Sequence, residues 1–159
     1  LWLGYSLMAI GRSDEIQDYT PHFDRRHNVN VVASYQFGKD KAWEVNARWN
    51  MGTGFPFTQT QGFYEFLDFQ EGITTDYTSE NGELGIELGE INTGRLPAYH
   101  RLDVNIKRRF NFGKYTKLEI NAGATNVYNR NNIFYIDRIT FDRVDQLPII
   151  PTVGLNLSF

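Results

Sequence analysis

The sequence has no cysteine, which removes a disulfide scaffold and thiolate metal sites and leaves the compartment open. It has no basic excess. Sixteen Lys and Arg stand against 19 Asp and Glu, a formal net charge of −3, so nothing electrostatic points to nucleic acid. It has no apolar run near the roughly 18 residues of a membrane helix, and its mean hydropathy is −0.45. A helical membrane protein is thereby excluded, but a membrane β-barrel is not, because half of each barrel strand faces water. Histidine is scarce: a metal site needs three or four converging ligands, and nothing in the sequence shows His22, His27 and His100 converging. No nucleophile–base arrangement and no calcium-loop spacing is visible, so no catalytic residue, metal or cofactor is assigned.

What the chain does have is aromatic residues, 15% of 159, and strict alternation. From His100 to Phe112 the even positions Leu102, Val104, Ile106, Phe110 and Phe112 are apolar, and only Arg108 breaks the row. The odd positions Arg101, Asp103, Asn105, Lys107 and Arg109 are polar. Thr116 to about Tyr128 continues in the same way, with Leu118, Ile120, Ala122 and Ala124 against Lys117, Glu119, Asn121 and Thr125. Gly113 suits a tight hairpin between the two. Side chains alternate between the faces of a strand, so each strand has a greasy and a wet face. Both are longer than the usual strand of about 5–6 residues and match the roughly 9–11 residues of a tilted membrane strand.

Four more strands read the same way: Leu1–Ile10, Arg26–Phe37, Ala42–Gly52, and Ile149–Phe159 with Val153, Leu155, Leu157 and Phe159 on one side. Connections alternate long, short, long, short, long. This is the pattern of an outer-membrane barrel with short periplasmic turns and long extracellular loops, here about 11–24, 53–99 and 129–148. Tyr35, Phe37, Trp43, Phe110, Phe112, Tyr115 and Phe159 cluster at the short-turn ends, and Trp49, Tyr99 and Tyr128 near the other ends, as two interfacial belts would. Six strands do not close a membrane barrel, whose smallest bacterial forms have about eight. The expectation is therefore an all-β, antiparallel transmembrane β-barrel segment, with further strands preceding Leu1. The other reading is a small eight-stranded barrel with one more hairpin hidden in 53–99.

Five motifs in order carry a resemblance. Asp24-Arg25-Arg26-His27 opens a strand; Asn50-Met51-Gly52-Thr53-Gly54-Phe55-Pro56-Phe57-Thr58 follows one; Arg95-Leu96-Pro97-Ala98-Tyr99-His100-Arg101-Leu102-Asp103 opens the next. Ala124-Thr125-Asn126-Val127-Tyr128-Asn129 and Pro151 to Phe159 complete the set. Together they make the chain resemble the C-terminal end of a TonB-dependent outer-membrane receptor of the kind found in Bacteroidetes. The resemblance implies roughly the last six strands of a barrel of about 22, filled by an N-terminal plug. It implies uptake of a small nutrient ligand across the outer membrane of a Gram-negative bacterium, with TonB acting through the plug, and no enzymatic activity. It also implies that Phe159 serves as a signal to the barrel assembly machinery.

On this reading Arg48, Arg101, Asp103, Lys107 and Arg109 are a lumen-facing polar wall. Phe63, Tyr64, Phe66 and Phe69 in the 53–99 loop are candidate ligand contacts, since exposed aromatics stack on flat ligands. Segment 55–94 holds eight acids and no Lys or Arg, which reads as a solvated loop or a cation-binding lid. The alternatives are a small complete outer-membrane barrel acting as adhesin or enzyme, and a soluble β-sheet glycan-binding module. Val104→Arg, mid-strand on the greasy face, is expected to impair assembly by about 2–4 kcal/mol, and Asn105→Arg to be tolerated. Heat-modifiable folding on gels reads both, and equal tolerance rejects the face assignment.

Overall fold

The computed structural model describes residues 1–66, 82–113 and 115–159. Six strands form one antiparallel sheet: β1 (Trp2–Leu7), β2 (His27–Phe37), β3 (Trp43–Gly52), β4 (Tyr99–Phe112), β5 (Thr116–Thr125) and β6 (Ile150–Ser158). Their spatial order is their chain order, an up-and-down meander. β2 to β5 run 11, 10, 14 and 10 residues. The sheet is open: among the described residues β1 pairs only with β2 and β6 only with β5. The short connections turn on positive-φ glycines, Gly38 (φ 81°) before the 3-10 turn Lys39–Lys41 and Gly113 (φ 73°) after β4. Glycine takes that conformation without a Cβ clash.

Register aligns the alternation across all six strands. Leu3, Val31, Trp49 and Leu102 form one row, and Tyr35, Val45, Ile106, Ala122 and Val153 another. The opposite face carries Gly4, Asn30, Asn50 and Arg101 in one row, and Gln36, Glu44, Lys107, Asn121 and Gly154 in another. Two apolar residues out of pattern, Trp2 and Val32, face each other on the wet side, where the Trp2 ring lies across Gly4. Arg108 is the cation on the apolar face, in the row of Phe37, Trp43, Ile120 and Leu155. Its guanidinium lies over the rings of Trp43 (4.6 Å) and Phe110 (4.5 Å).

Neither face is covered. Among the described residues no hydrophobic side chain is buried; Val153, Leu155 and Tyr35 are 79%, 72% and 70% exposed. The fully enclosed side chains are polar, Asp24 and Asn126, with Asn132 nearly so. All three lie at or beyond the strand ends on the long-connection side.

The structure differs from expectation at four points. β1 runs over Trp2–Leu7 and not over Leu1–Ile10. β5 stops at Thr125 and not near Tyr128, because Asn126 turns the chain at φ 55°. Tyr99 pairs in register with Gly52 on the wet face, so it does not belong to the apolar-face belt. The 53–99 excursion does contain a hairpin, Thr60–Phe66 with Glu83–Leu88, but this forms a sheet of its own and adds no strand to the six.

That excursion leaves and returns through a backbone crossing. Pro56–Phe57 pairs with Gly94–Arg95, and a Cβ on Gly54 would lie 1.5 Å from the Leu96 carbonyl oxygen. Gly54→Ala must therefore move backbone, at about 3 kcal/mol, the upper end of overpacking costs. Limited proteolysis should cut residues 53–99 faster in this variant with the six-stranded sheet intact.

Candidate functional site

The wet face is built from cross-strand partners of opposite charge. The Arg109 guanidinium spans two strands, donating to Glu44 (2.6 Å) and Glu119 (3.1 Å). Glu44 also accepts from Gln36 (3.0 Å) and Asn46 (2.9 Å), so one carboxylate ties β2, β3 and β4 together. Lys107 stands 3.8 Å from Glu119. Further along, Arg101 pairs with Asp103 (2.9 Å). Arg48 sits opposite Asp103 in register, exposed and without an ion pair among the described residues. All five expected wall residues thus share one face, and four of them are tied into ion pairs.

At the long-connection end the motifs meet. Asp24, fully buried, accepts from Arg95 (2.5 Å), from Arg26 (3.4 Å) and from the Ile10 N–H (3.2 Å). Arg95 also donates to the carbonyls of Asp24 and Gly54. Arg25 lies above Gly52, where a Cβ would come within 2.6 Å of it, with its guanidinium over Phe55 (4.3 Å) and near Tyr99 (5.4 Å). Three motifs read separately along the chain are therefore one latch.

A second latch is made of amides. Asn126 donates to the carbonyls of Arg130 and Leu147 and accepts from the Arg130 N–H, while its own N–H donates to Asp103 (3.0 Å). Asn132 both donates to and accepts from the His100 backbone, at 3.0 and 3.1 Å, as a strand would. Asp103 is consequently an anchor for the turn as well as a wall residue. His27 and His100 sit within hydrogen-bond distance of the Tyr5 and Tyr128 hydroxyls, at 2.9 and 2.7 Å. Among the described residues no three metal-ligating groups converge.

Beyond the latches the long connections enclose a cleft of about 950 Å³ lined by Phe23, Phe55, Phe57, Phe134, Tyr135 and Phe141. None of these is among the ligand-contact candidates read from sequence, although Phe55 and Phe57 lie in the motif Asn50 to Thr58. Of the aromatic candidates, Phe63 touches the wall of the cleft edge-on at Phe141 (5.9 Å). Tyr64 and Phe66 stand one residue out of step with Phe63, hence on the other face of their hairpin, where the Tyr64 ring covers Gly85. Phe63, Tyr64 and Phe66 therefore make no single platform; Phe69 lies outside the described residues. Comparison with family models, with curated proteins and with solved structures gave no match.

Phe159 follows β6 at the outer edge of the sheet and is 96% exposed. Of the eight acids of segment 55–94, Asp68, Glu71, Asp76 and Glu80 lie outside the described residues, and Glu65 accepts from the Gly82 N–H (2.7 Å).

The hydrogen bond from Arg95, ahead of those from Ile10 N–H and Arg26, holds the Asp24 carboxyl below its ordinary value of 3.8, against the opposing effect of burial. A lowered folded pKa means that the latch contributes its full stability above about pH 4 and loses it as pH falls through the depressed folded value. Protease resistance of the 11–24 connection should be flat from neutral pH to about 4 and fall below it. Asp24→Asn should be weaker at neutral pH and lose that acid step.

Proposed function

We propose that this chain is wall and outer loops of a TonB-dependent receptor, a β-barrel in the outer membrane of a Gram-negative bacterium that takes up a small nutrient ligand. The observation that carries the reading is the uncovered apolar face, opposite a continuous polar face, in a chain with no buried hydrophobic side chain among its described residues. In water a face of this extent is an aggregation surface; in lipid it is solvated, and the ion-paired face then lines a lumen.

The two unpaired edges support the rest. In hydrocarbon each unsatisfied backbone group costs several kcal/mol, so β1 and β6 require further strands of the same barrel. The hairpin within 53–99 forms its own sheet, which disfavours closure as a small eight-stranded barrel. Partners implied by the reading are the surrounding lipid, the barrel's own N-terminal strands and plug, TonB through that plug, and the assembly machinery at Phe159. The chain itself carries out no chemistry in this scheme. It supplies a stiff wall, whose Arg101, Asp103, Lys107 and Arg109, though not Arg48, are tied in pairs among the described residues, and a set of latched outer loops.

Membrane fractions probed with an antibody to the segment GLNLSF, with and without boiling, test it. The expected result is an outer-membrane band several times the 18.5 kDa of this chain that shifts on heating. A heat-shifting band near 18.5 kDa means a small barrel, and a soluble band rejects the membrane reading.

A further inference from the structure

The apolar face of the sheet is accounted for by lipid, but the aromatic cleft among the long connections is not. It stands beyond the strand ends, on the side that the reading above puts in water. Phe134, Phe141 and Ile139 there are 65%, 56% and 55% exposed. A water-facing apolar concavity marks a binding surface. Its volume, about 950 Å³, falls in the range of small-molecule sites, roughly 300–1,000 Å³.

The backbone is arranged to present those rings. Phe141 is held at φ 60°, a conformation that bulky side chains avoid. The tight turn that holds it is closed twice, by the Phe141 N–H to the Asp137 carbonyl (3.1 Å) and the Asp137 N–H to the Asp142 carbonyl (2.9 Å). Strain kept in this way is characteristic of ligand clamps. The Thr60 hydroxyl donates to the Arg138 carbonyl (3.3 Å), fastening the turn to the hairpin across the cleft.

Charge narrows the chemistry. The lining includes Asp137 and Arg138. One Asp137 carboxylate oxygen is already committed to the N–H groups of Ile139 (2.8 Å) and Thr140 (2.9 Å). The Arg138 guanidinium makes no ion pair among the described residues. Among the described residues the lining thus offers flat apolar walls and one cation without an ion pair, beside the Asp137 carboxylate whose Oδ1 is taken up by backbone N–H groups.

We propose that this cleft binds a small amphipathic molecule with a flat aromatic or fused-ring body and a carboxylate, the body against Phe57, Phe134 and Phe141 and the carboxylate toward Arg138. The proposal rests on the outer-membrane reading for the cleft's exposure to water, and it gives that receptor a ligand class.

Equilibrium dialysis of the full-length protein in nanodiscs, with 2-naphthoate and neutral 2-naphthylmethanol as probes and empty nanodiscs as blank, tests it. The expected result is saturable naphthoate binding that Arg138→Gln weakens about tenfold, the scale of a charge-assisted hydrogen bond, with 2-naphthylmethanol unchanged. Phe134→Ser should weaken both probes. Phe134 is largely exposed, and a retained heat shift verifies folding of each variant. Absence of saturable binding, the result when another segment of the chain fills the cleft, overturns the proposal, as does equal naphthoate binding by all three proteins. If the heat shift persists while binding is absent, the cleft assignment alone fails. If the wild-type protein shows no heat shift, it is the barrel reading that fails.

Discussion

Strand register is the constraint on which everything else in this molecule depends. With two chemically opposite faces and no core between them, a one-residue slip of any strand would carry its apolar row among arginines and its charges among Leu, Val and Trp. Several devices oppose the slip. The Arg109 bridge from Glu44 to Glu119 joins three strands at one level. The hydrogen-bonded Asn30 and Asn50 side chains fix β2 on β3 at another. The Asp103 carboxylate, accepting from the Asn126 N–H, ties the start of β4 to the end of β5. The wet face is thus an alignment system, and its charges are spent largely on one another.

Among the described residues the enclosed side chains are polar nodes and not a greasy centre. Asp24, Asn126 and Asn132 are enclosed, and each satisfies backbone groups where the chain leaves the regular sheet. Buried polar groups are stable only when hydrogen-bonded, and these are bonded several times over. The nodes let long connections depart from the sheet along defined paths, and only because those paths are defined can residues from distant connections meet in one cleft.

Much of this was legible in the sequence. Period-two alternation over ten or more residues fixes strand identity and face together, so the six strands and the shared polar face of Arg48, Arg101, Asp103, Lys107 and Arg109 could be read directly. Boundaries were less so: Asn126 ends β5 by its left-handed backbone, whereas the Val127 and Tyr128 that follow still look like strand. Tyr99 was misread because an aromatic at a strand end suggests a lipid interface, while parity with Gly52 puts it on the wet side. The latches and the cleft were illegible because they are non-local. Asp24 and Arg95 are 71 residues apart, and Phe23, Phe57 and Phe141 come from three connections with no shared spacing. The short hairpin in 53–99 was legible only as the alternative of a hairpin hidden there, and its forming a sheet of its own was not.

Arg108 adds something that neither alternation nor latching supplies, a vertical datum. A sheet of uniform grease could ride higher or lower in a bilayer at little cost. On the proposed outer-membrane reading, a guanidinium held between Trp43 and Phe110, near the short-turn end, lies at headgroup depth, since long cationic side chains keep their heads in the polar layer. Sliding the wall outward by a row or two would drag that charge into hydrocarbon, while sinking it inward would not. On the outer-membrane reading proposed above, this is a one-sided stop, which would set the draught of the wall in the membrane and with it the height at which the loop cleft stands clear of the outer surface.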